Sequence, residues 1–352
     1  MNPPDRNILP VRLLLLPFAC LFRMVVWLRN ILFDRGWIPV YCSPVPVLSV
    51  GNLTAGGTGK TPFVIWLAEN LLNGYEKIVI ISRGYGRHSK GVQIVSDGSI
   101  LVADPAFGGD EAVLTARRLN GVPVVVAEKR AEGIRTAVDS FKPDLIILDD
   151  GFQHRYVARD CDIVLVDSRR KYENEHLLPA GSLREPVRNI RRASLVVYTH
   201  SGGSEKVLPM ERFYSGPVVY TRHTPACFVD RHLAFYGDIS VLEGARVAAF
   251  AGIADPANFR SMLDDLDIKI ALFEPLPDHY SFDSEWISRF YREAAHAGCR
   301  YVVTTEKDLI KLAQPTPEGI TMLALRIQIR VDEPEKLIKT VKTYIDKRVI
   351  RS

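Results

Sequence analysis

The stretch VPVLSVGNLTAGGTGKTPFVIWLAENLL, residues 45–72, reads as a strand, a glycine-rich loop and a helix in direct succession. Residues 45–50 form a continuous apolar run, the pattern of a strand covered on both faces. From Thr61 a helical segment begins, and Pro62 is tolerated there because the first turn has N–H groups with no partner inside the helix. In the loop, Gly56, Gly57 and Gly59 carry no Cβ, so backbone N–H groups can turn inward onto phosphate oxygens. Lys60 is placed to reach β- and γ-phosphates and the Thr61 hydroxyl to hold Mg²⁺. The usual pattern G-x-x-x-x-G-K-[ST] has glycine where Thr54 stands. That position is the strand exit, where a β-branched residue in extended conformation is acceptable. Thr54, Thr58 and the residues just named make up the expected ATP-binding segment.

Working outward, apolar runs at 77–82, 122–127, 144–149, 162–167 and 194–199 alternate with helical segments, as in a parallel sheet covered by helices. The polar stretch HSGGSEKVLP (200–209) breaks this rhythm, and a connecting hairpin follows in GPVVYTR and RHLAFYG. A second α/β series starts near residue 245. The expected fold is α/β: a P-loop kinase-like parallel-sheet domain and a smaller α/β domain. The expected division is residues 1–35 as an N-terminal membrane-interface region, 36–215 as the nucleotide-binding domain and 216–352 as the C-terminal domain with its hairpin linker.

Charged residues are 24 % and hydrophobic residues 47 % of the 352, a globular composition. A net charge of +4, with no basic stripe interleaved with aromatics, gives no reason to expect nucleic acid. The five cysteines are scattered without a C-x-x-C pair, which argues against a disulfide framework and a zinc site. The N-terminal segment is strongly apolar, yet Arg12, Arg23, Arg29 and Arg35 interrupt it, and its longest uncharged run, Leu13 to Phe22, is too short to span a bilayer. It also lacks a convincing A-x-A cleavage site for a secretory signal. A helix lying in the membrane interface, arginines near lipid phosphates, suits this pattern; a buried core helix is the plain alternative.

Other residues carry candidate chemistry. DLIILDDGFQHR ends a buried strand in Asp149–Asp150, carboxylates suited to magnesium beside a phosphate loop. His154 follows in the same segment. Asp110, in FGGDEAVLTARRL, stands directly before an amphipathic helix, where its ordinary role is N-cap. His279 lies in the proline-rich loop of EPLPDHYSF. A carboxylate that orients an imidazole is a way of deprotonating a hydroxyl, and the linear division places any meeting of Asp110 and His279 across a domain cleft. Arg83, Arg130 and Arg184 are forks suited to phosphate. Ala55 stands where membrane-associated partitioning ATPases carry a lysine, which counts against that class.

Taken together, VGNLTAGGTGKTP, SRGYGR, GGDEA, LDDGFQH, PAGSLREP, FAGIADPANF, PDHYSF and TTEKD resemble the tetraacyldisaccharide 4′-kinases of lipid A biosynthesis over residues 10–325. The loop with Thr54 is that family's own form. The resemblance implies ATP- and Mg²⁺-dependent phosphorylation of the 4′-hydroxyl of an acylated disaccharide 1-phosphate lipid, giving lipid IVA. It further implies two α/β/α domains with a two-stranded linker and a peripheral or monotopic protein on the cytoplasmic face of the inner membrane of a Gram-negative-type cell. No nucleic acid and no obligate protein partner are expected. Lys60 and Thr61 match the phosphate-loop pair, Asp149 and Asp150 the magnesium-associated aspartates, and Asp110 and His279 a catalytic dyad in which aspartate activates the sugar hydroxyl with histidine's help. Arg130, His154 and Arg184 match positions linked to nucleotide or lipid phosphates. The alternative reading is a membrane-associated nucleotide switch that recruits a protein partner.

Overall fold

A computed structural model describes residues 8–170, 172, 175–201, 210 and 212–349. The first seven residues of the expected membrane-interface region and most of the polar stretch 200–209 lie outside them. Along the chain the strands are β1 (Val47–Asn52), β2 (Ile78–Ser82), β3 (Gln93–Ser96), β4 (Val124–Val126), β5 (Leu145–Asp149), β6 (Cys161–Asp167), β7 (Leu195–Thr199), β8 (Val218–Val229), β9 (Phe235–Asp238), β10 (Arg246–Ala251), β11 (Lys269–Pro275), β12 (Tyr301–Thr305) and β13 (Thr321–Val331). The α-helices are α1 (Ile8–Asp34), α2 (Lys60–Leu71), α3 (Pro105–Gly108), α4 (Asp110–Arg118), α5 (Arg130–Phe141), α6 (Pro256–Asp264), α7 (Ser284–His296), α8 (Glu306–Leu309) and α9 (Pro334–Val349).

Two compact units share the chain, and neither is contiguous in sequence: residues 1–82, 129–222 and 331–352 form the first, residues 83–128 and 223–330 the second. These units differ from the linear division, most consequentially at two segments. The segment 83–128, with Asp110, groups with the C-terminal half, and α9 groups with the phosphate loop. Hydrophobic patterning assigns segments to elements but carries no information on which elements share a core.

In the first unit the strands run β8–β7–β6–β1–β5–β2, all parallel. Every residue of β1, β5 and β6 is buried, as the continuous apolar runs require. Strand β1 lies between β6 and β5, so the chain winds outward to both sides from it. That is the topological switch point, outside whose strand ends such sheets bind ligands. The loop after β1 and the Asp149 end of β5 share this edge, Val50 standing opposite Asp149. Helix α9 closes on the unit through Leu337, Val341 and Ile345, a stripe spaced four residues apart.

Among the described side chains of α1, from Leu14 onward, the buried ones are Ala19, Val26 and Phe33, a stripe spaced seven residues apart. Arg155 holds the end of that helix, one guanidinium nitrogen 2.7 Å from Asp34 Oδ1 and the other 3.2 Å from the Asn30 carbonyl. Leu14, Phe18, Leu21, Met24, Val25, Trp27 and Leu28 keep half or more of their surface exposed, so α1 is not a core helix. By length and composition alone Leu14–Asp34 is sufficient to cross a membrane, which the uncharged run by itself did not suggest.

The second unit holds a parallel set β11–β10–β12–β13, the antiparallel pair of β9 with the end of β8, and the antiparallel pair β3–β4. Its core gathers Phe228, Val247, Ala249, Val303 and Leu323 from the strands and Phe259 and Leu263 from α6. Phe250 meets Trp286 and Phe290 of α7 edge-on at 5.1 Å. The apolar run at 122–127 is therefore a strand of this unit, where it pairs antiparallel with β3.

Candidate active site

The loop 53–61 is built on a short ribbon. Thr54 forms an antiparallel bridge with Leu183, the Ala55 N–H donates to the Ser182 carbonyl at 2.7 Å, and the Arg184 N–H donates to the Leu53 carbonyl at 2.8 Å. Thr54 is thus an extended, buried strand residue, the environment a β-branched side chain prefers. That is the physical reason the first glycine of the usual pattern is dispensable here. Gly59 caps α2 with φ +74°, a left-handed conformation strained for any residue with a Cβ. Thr58 is buried and its hydroxyl accepts from Asn52 Nδ2 at 2.8 Å, while Asn52 Oδ1 accepts from Lys60 Nζ at 3.3 Å. Thr58 therefore shapes the loop from inside, and Asn52 is a loop-setting residue that the motif pattern did not single out.

Lys60 Nζ also lies 3.4 Å from Asp150 Oδ1, and Arg184 Nη1 reaches both Asp150 oxygens at 2.8 and 2.7 Å. Burial raises the Asp150 pKa, but the Lys60 and Arg184 charges more than offset it and hold the carboxyl down at about 2. Asp150 adopts φ +55°, uncommon outside glycine and typical of sites where geometry overrides local comfort. Arg130 is fully buried and donates from Nη2 to the Asp149 carbonyl at 3.3 Å. His154 packs near the Tyr156 ring, centroids 5.6 Å apart. Arg83 is exposed and belongs to the second unit. Thr61, Asp149 and Asp150 are hard oxygen donors beside the loop, the donor set that suits Mg²⁺ held jointly with phosphates. Among the described residues no group of three His, Cys, Asp or Glu side chains forms an all-protein metal cage. The residues present fit a nucleotide-shared ion.

The second cluster forms within one unit, not across a cleft. Asp110 is the first residue of α4, and the cap position falls to Gly109, so the N-cap reading of Asp110 does not hold. Gly109 has φ +86°, and a Cβ there would lie 3.0 Å from the Tyr85 carbonyl oxygen; glycine lets the two segments close up. Asp110 Oδ2 lies 3.0 Å from His279 Nδ1, and Oδ1 accepts the Glu111 N–H at 3.0 Å. Tyr85 packs on the imidazole at 4.8 Å between centroids, and His279 itself has φ +60°.

Lys307 completes the cluster and was missed as a site residue. Its ammonium lies 3.2 Å from His279 Nε2, 2.9 Å from Asp278 Oδ1 and 3.6 Å from Glu111 Oε1. An ammonium only donates, so Nε2 accepts and the ring proton sits on Nδ1, donated to Asp110. Burial raises the Asp110 pKa, but the His279 hydrogen bond and the Lys307 charge prevail and the net shift is downward. For His279 the Asp110 hydrogen bond dominates over burial and Lys307, and its pKa is raised. The TTEKD segment explains how Lys307 is held. The Thr305 hydroxyl caps α8, Glu306 bonds Arg118 of α4 at 2.7 Å and Arg326 at 2.8 Å, and Asp308 accepts the Gly252 N–H at 2.8 Å.

A phosphate loop leaving the central strand of a parallel sheet, with paired aspartates ending the strand beside it, is the arrangement of P-loop nucleotide-binding kinases. The fold and site fall in that class. Comparison with known proteins narrows it: the chain belongs to the tetraacyldisaccharide-1-P 4′-kinase family, whose sequence profile matches residues 11–346. It is 42 % identical to the tetraacyldisaccharide 4′-kinase of Anaeromyxobacter dehalogenans over 317 residues, 88 % of this chain and 83 % of that one. With the enzyme of the same name from Syntrophus aciditrophicus it shares 40 % over 347 residues, 95 % of this chain and 92 % of that one. The crystal structure of LpxK from Aquifex aeolicus in complex with ATP superposes with a TM-score of 0.80 at 37 % identity, covering 95 % of this chain and 99 % of that one. These matches set the nucleotide-switch alternative aside.

Proposed function

We propose that this chain transfers the γ-phosphoryl group of ATP to the 4′-hydroxyl of an acylated glucosamine disaccharide 1-phosphate, yielding lipid IVA. The observation that carries the reading is the Asp110–His279 contact at 3.0 Å. A phosphate loop alone calls for a nucleotide; a carboxylate-oriented imidazole calls for an acceptor hydroxyl.

Lys60 and the N–H groups of residues 56–61 neutralise charge developing on the γ-phosphoryl and β–γ bridging oxygens. Thr61, Asp149 and Asp150 would hold Mg²⁺, which when bound shares that neutralisation. The dyad roles expected from sequence are reversed in this reading. Both Asp110 oxygens are engaged and its pKa is depressed, so it is a poor proton acceptor, whereas His279 is partly exposed with a raised pKa. Nε2 of His279 takes the hydroxyl proton as the sugar oxygen bonds to the γ-phosphorus and the bond to the ADP oxygen breaks. Asp110 stabilises the resulting imidazolium. Asp278 and Glu111 hold the Lys307 ammonium when the hydroxyl replaces it at Nε2.

For α1, the proposal is a helix lying in the membrane interface on the cytoplasmic side, where the acceptor lipid is met. The buried stripe supports this, because Ala19 to Phe33 spans about 21 Å of helix fastened along the first unit. That leaves one broad apolar face for lipid. The test is transfer of labelled γ-phosphate to tetraacylated disaccharide 1-phosphate in mixed micelles, with the product site located by mass spectrometry. ATP turnover that is indifferent to the lipid would overturn the reading.

A further inference from the structure

Glu185 has no part in the chemistry above, yet its side chain is wholly shielded from solvent. Four side chains converge on it: Arg29 Nη2 at 3.0 Å and Asn30 Nδ2 at 3.4 Å from α1, Asn189 Nδ2 at 2.7 Å and Arg192 Nη2 at 2.8 Å from its own segment. A carboxylate taken fully out of water is costly unless charged partners and hydrogen bonds replace its hydration. Two of those replacements come from one turn of α1, so docking that helix and burying Glu185 are a single event.

The residue before it is Arg184. Its backbone N–H is bonded to the Leu53 carbonyl in the loop ribbon, and its guanidinium grips both oxygens of Asp150, which in turn faces Lys60 at 3.4 Å. A continuous row of contacts therefore runs from α1 through Glu185 and Arg184 to the lysine of the phosphate loop, all inside the first unit. We propose that Glu185 is a positioning residue: by fastening α1 to segment 182–186 it sets Arg184 on Asp150, and so sets where the Lys60 ammonium meets nucleotide phosphates. ATP affinity then depends on how the helix that carries the exposed apolar face is seated. The inference rests on the reading of Lys60 as an ATP-phosphate ligand.

The test uses the full chain with Glu185→Gln and Arg29→Gln, the second lying on a partly exposed turn where folding tolerates the change. A misplaced ground-state contact raises KM with kcat little changed, so each variant is expected to raise the KM for Mg·ATP about tenfold with kcat within threefold. The double variant should be no worse than Glu185→Gln alone, because both act through one contact. ATP binding by isothermal titration calorimetry should weaken by the same factor, and needs no acceptor lipid. A failure of lipid phosphorylation in the wild type is thereby separable from a failure of this inference. Unchanged ATP affinity with only a lower melting temperature would make Glu185 a structural clamp and overturn it. Additive effects of the two substitutions would overturn the route through α1.

Discussion

Replacing Asp110 by asparagine keeps the shape of the side chain and removes its charge. In the wild type, Oδ2 accepts from the His279 ring at 3.0 Å, and this bond is the main reason the imidazole pKa is raised. Three consequences follow in the asparagine variant. The plateau rate falls by about 10²–10³, since a positioned base contributes roughly 10²–10⁴ and its orientation and stabilisation are what is lost. The acid limb of the pH–rate profile moves to lower pH, because the imidazole no longer has a carboxylate favouring its charged form. Stability falls by about 1–2 kcal/mol, the worth of a partly buried hydrogen bond to a charged carboxylate. The sign of the pH dependence is set by both partners. A raised histidine pKa contributes stability that is complete below its unfolded value of 6.5 and lost as pH rises through the folded value; a lowered aspartate pKa contributes stability above 3.8 that is lost as pH falls. The deficit should be largest between 3.8 and 6.5 and shrink at alkaline pH. Initial rates across the pH range at saturating ATP and lipid, with urea unfolding at pH 6 and pH 9, measure all three. A variant with near wild-type plateau rate, or with an unmoved acid limb, would refute the reasoning.

Lys307→Met removes a cation that opposes protonation of His279, so the acid limb should move to higher pH, opposite to the Asp110 variant; an unmoved limb would detach Lys307 from the dyad. Thr54→Gly should retain activity while losing about 1 kcal/mol, because glycine satisfies the loop but weakens the bridge to Leu183; the check is urea unfolding beside the ATP KM. Changing Leu21 and Trp27 to glutamate should lower recovery with membranes, and undiminished recovery after centrifugation would remove α1 from that role. For Asp150, a pKa held at about 2 against 3.8 means about 2 kcal/mol of stability present above pH 3.8 and lost as pH falls through 2. Asp150→Asn should lack that acid step in an equilibrium unfolding series.

The phosphate loop, its flanking strand and helix and the paired aspartates were legible because each is local: glycines, a lysine and a buried strand at fixed spacing leave few arrangements. The alternating apolar runs likewise placed β1, β2, β5, β6 and β7 within a residue or two. Strand β3 escaped notice because it is short and only half-buried. Arg130 is suited to phosphate by type, and its burial and its bond to the Asp149 carbonyl are properties of the packing that no local pattern carries. Lys307 could not be found by spacing, since it reaches His279 from 28 residues away.

By itself the sequence determined that a nucleotide is bound at the end of a parallel sheet, and by resemblance which hydroxyl receives the phosphoryl group, because those signals reside in contiguous side chains and backbone. Tertiary structure decided that segment 83–128 joins the C-terminal half, so that Asp110 and His279 share one unit. It also brought Lys307 to the Asp110–His279 pair, and bonded buried Glu185 to Arg29 and Asn30 of the apolar helix. Those outcomes depend on which distant groups are desolvated together, and desolvation is a property of the packed chain and not of any local pattern.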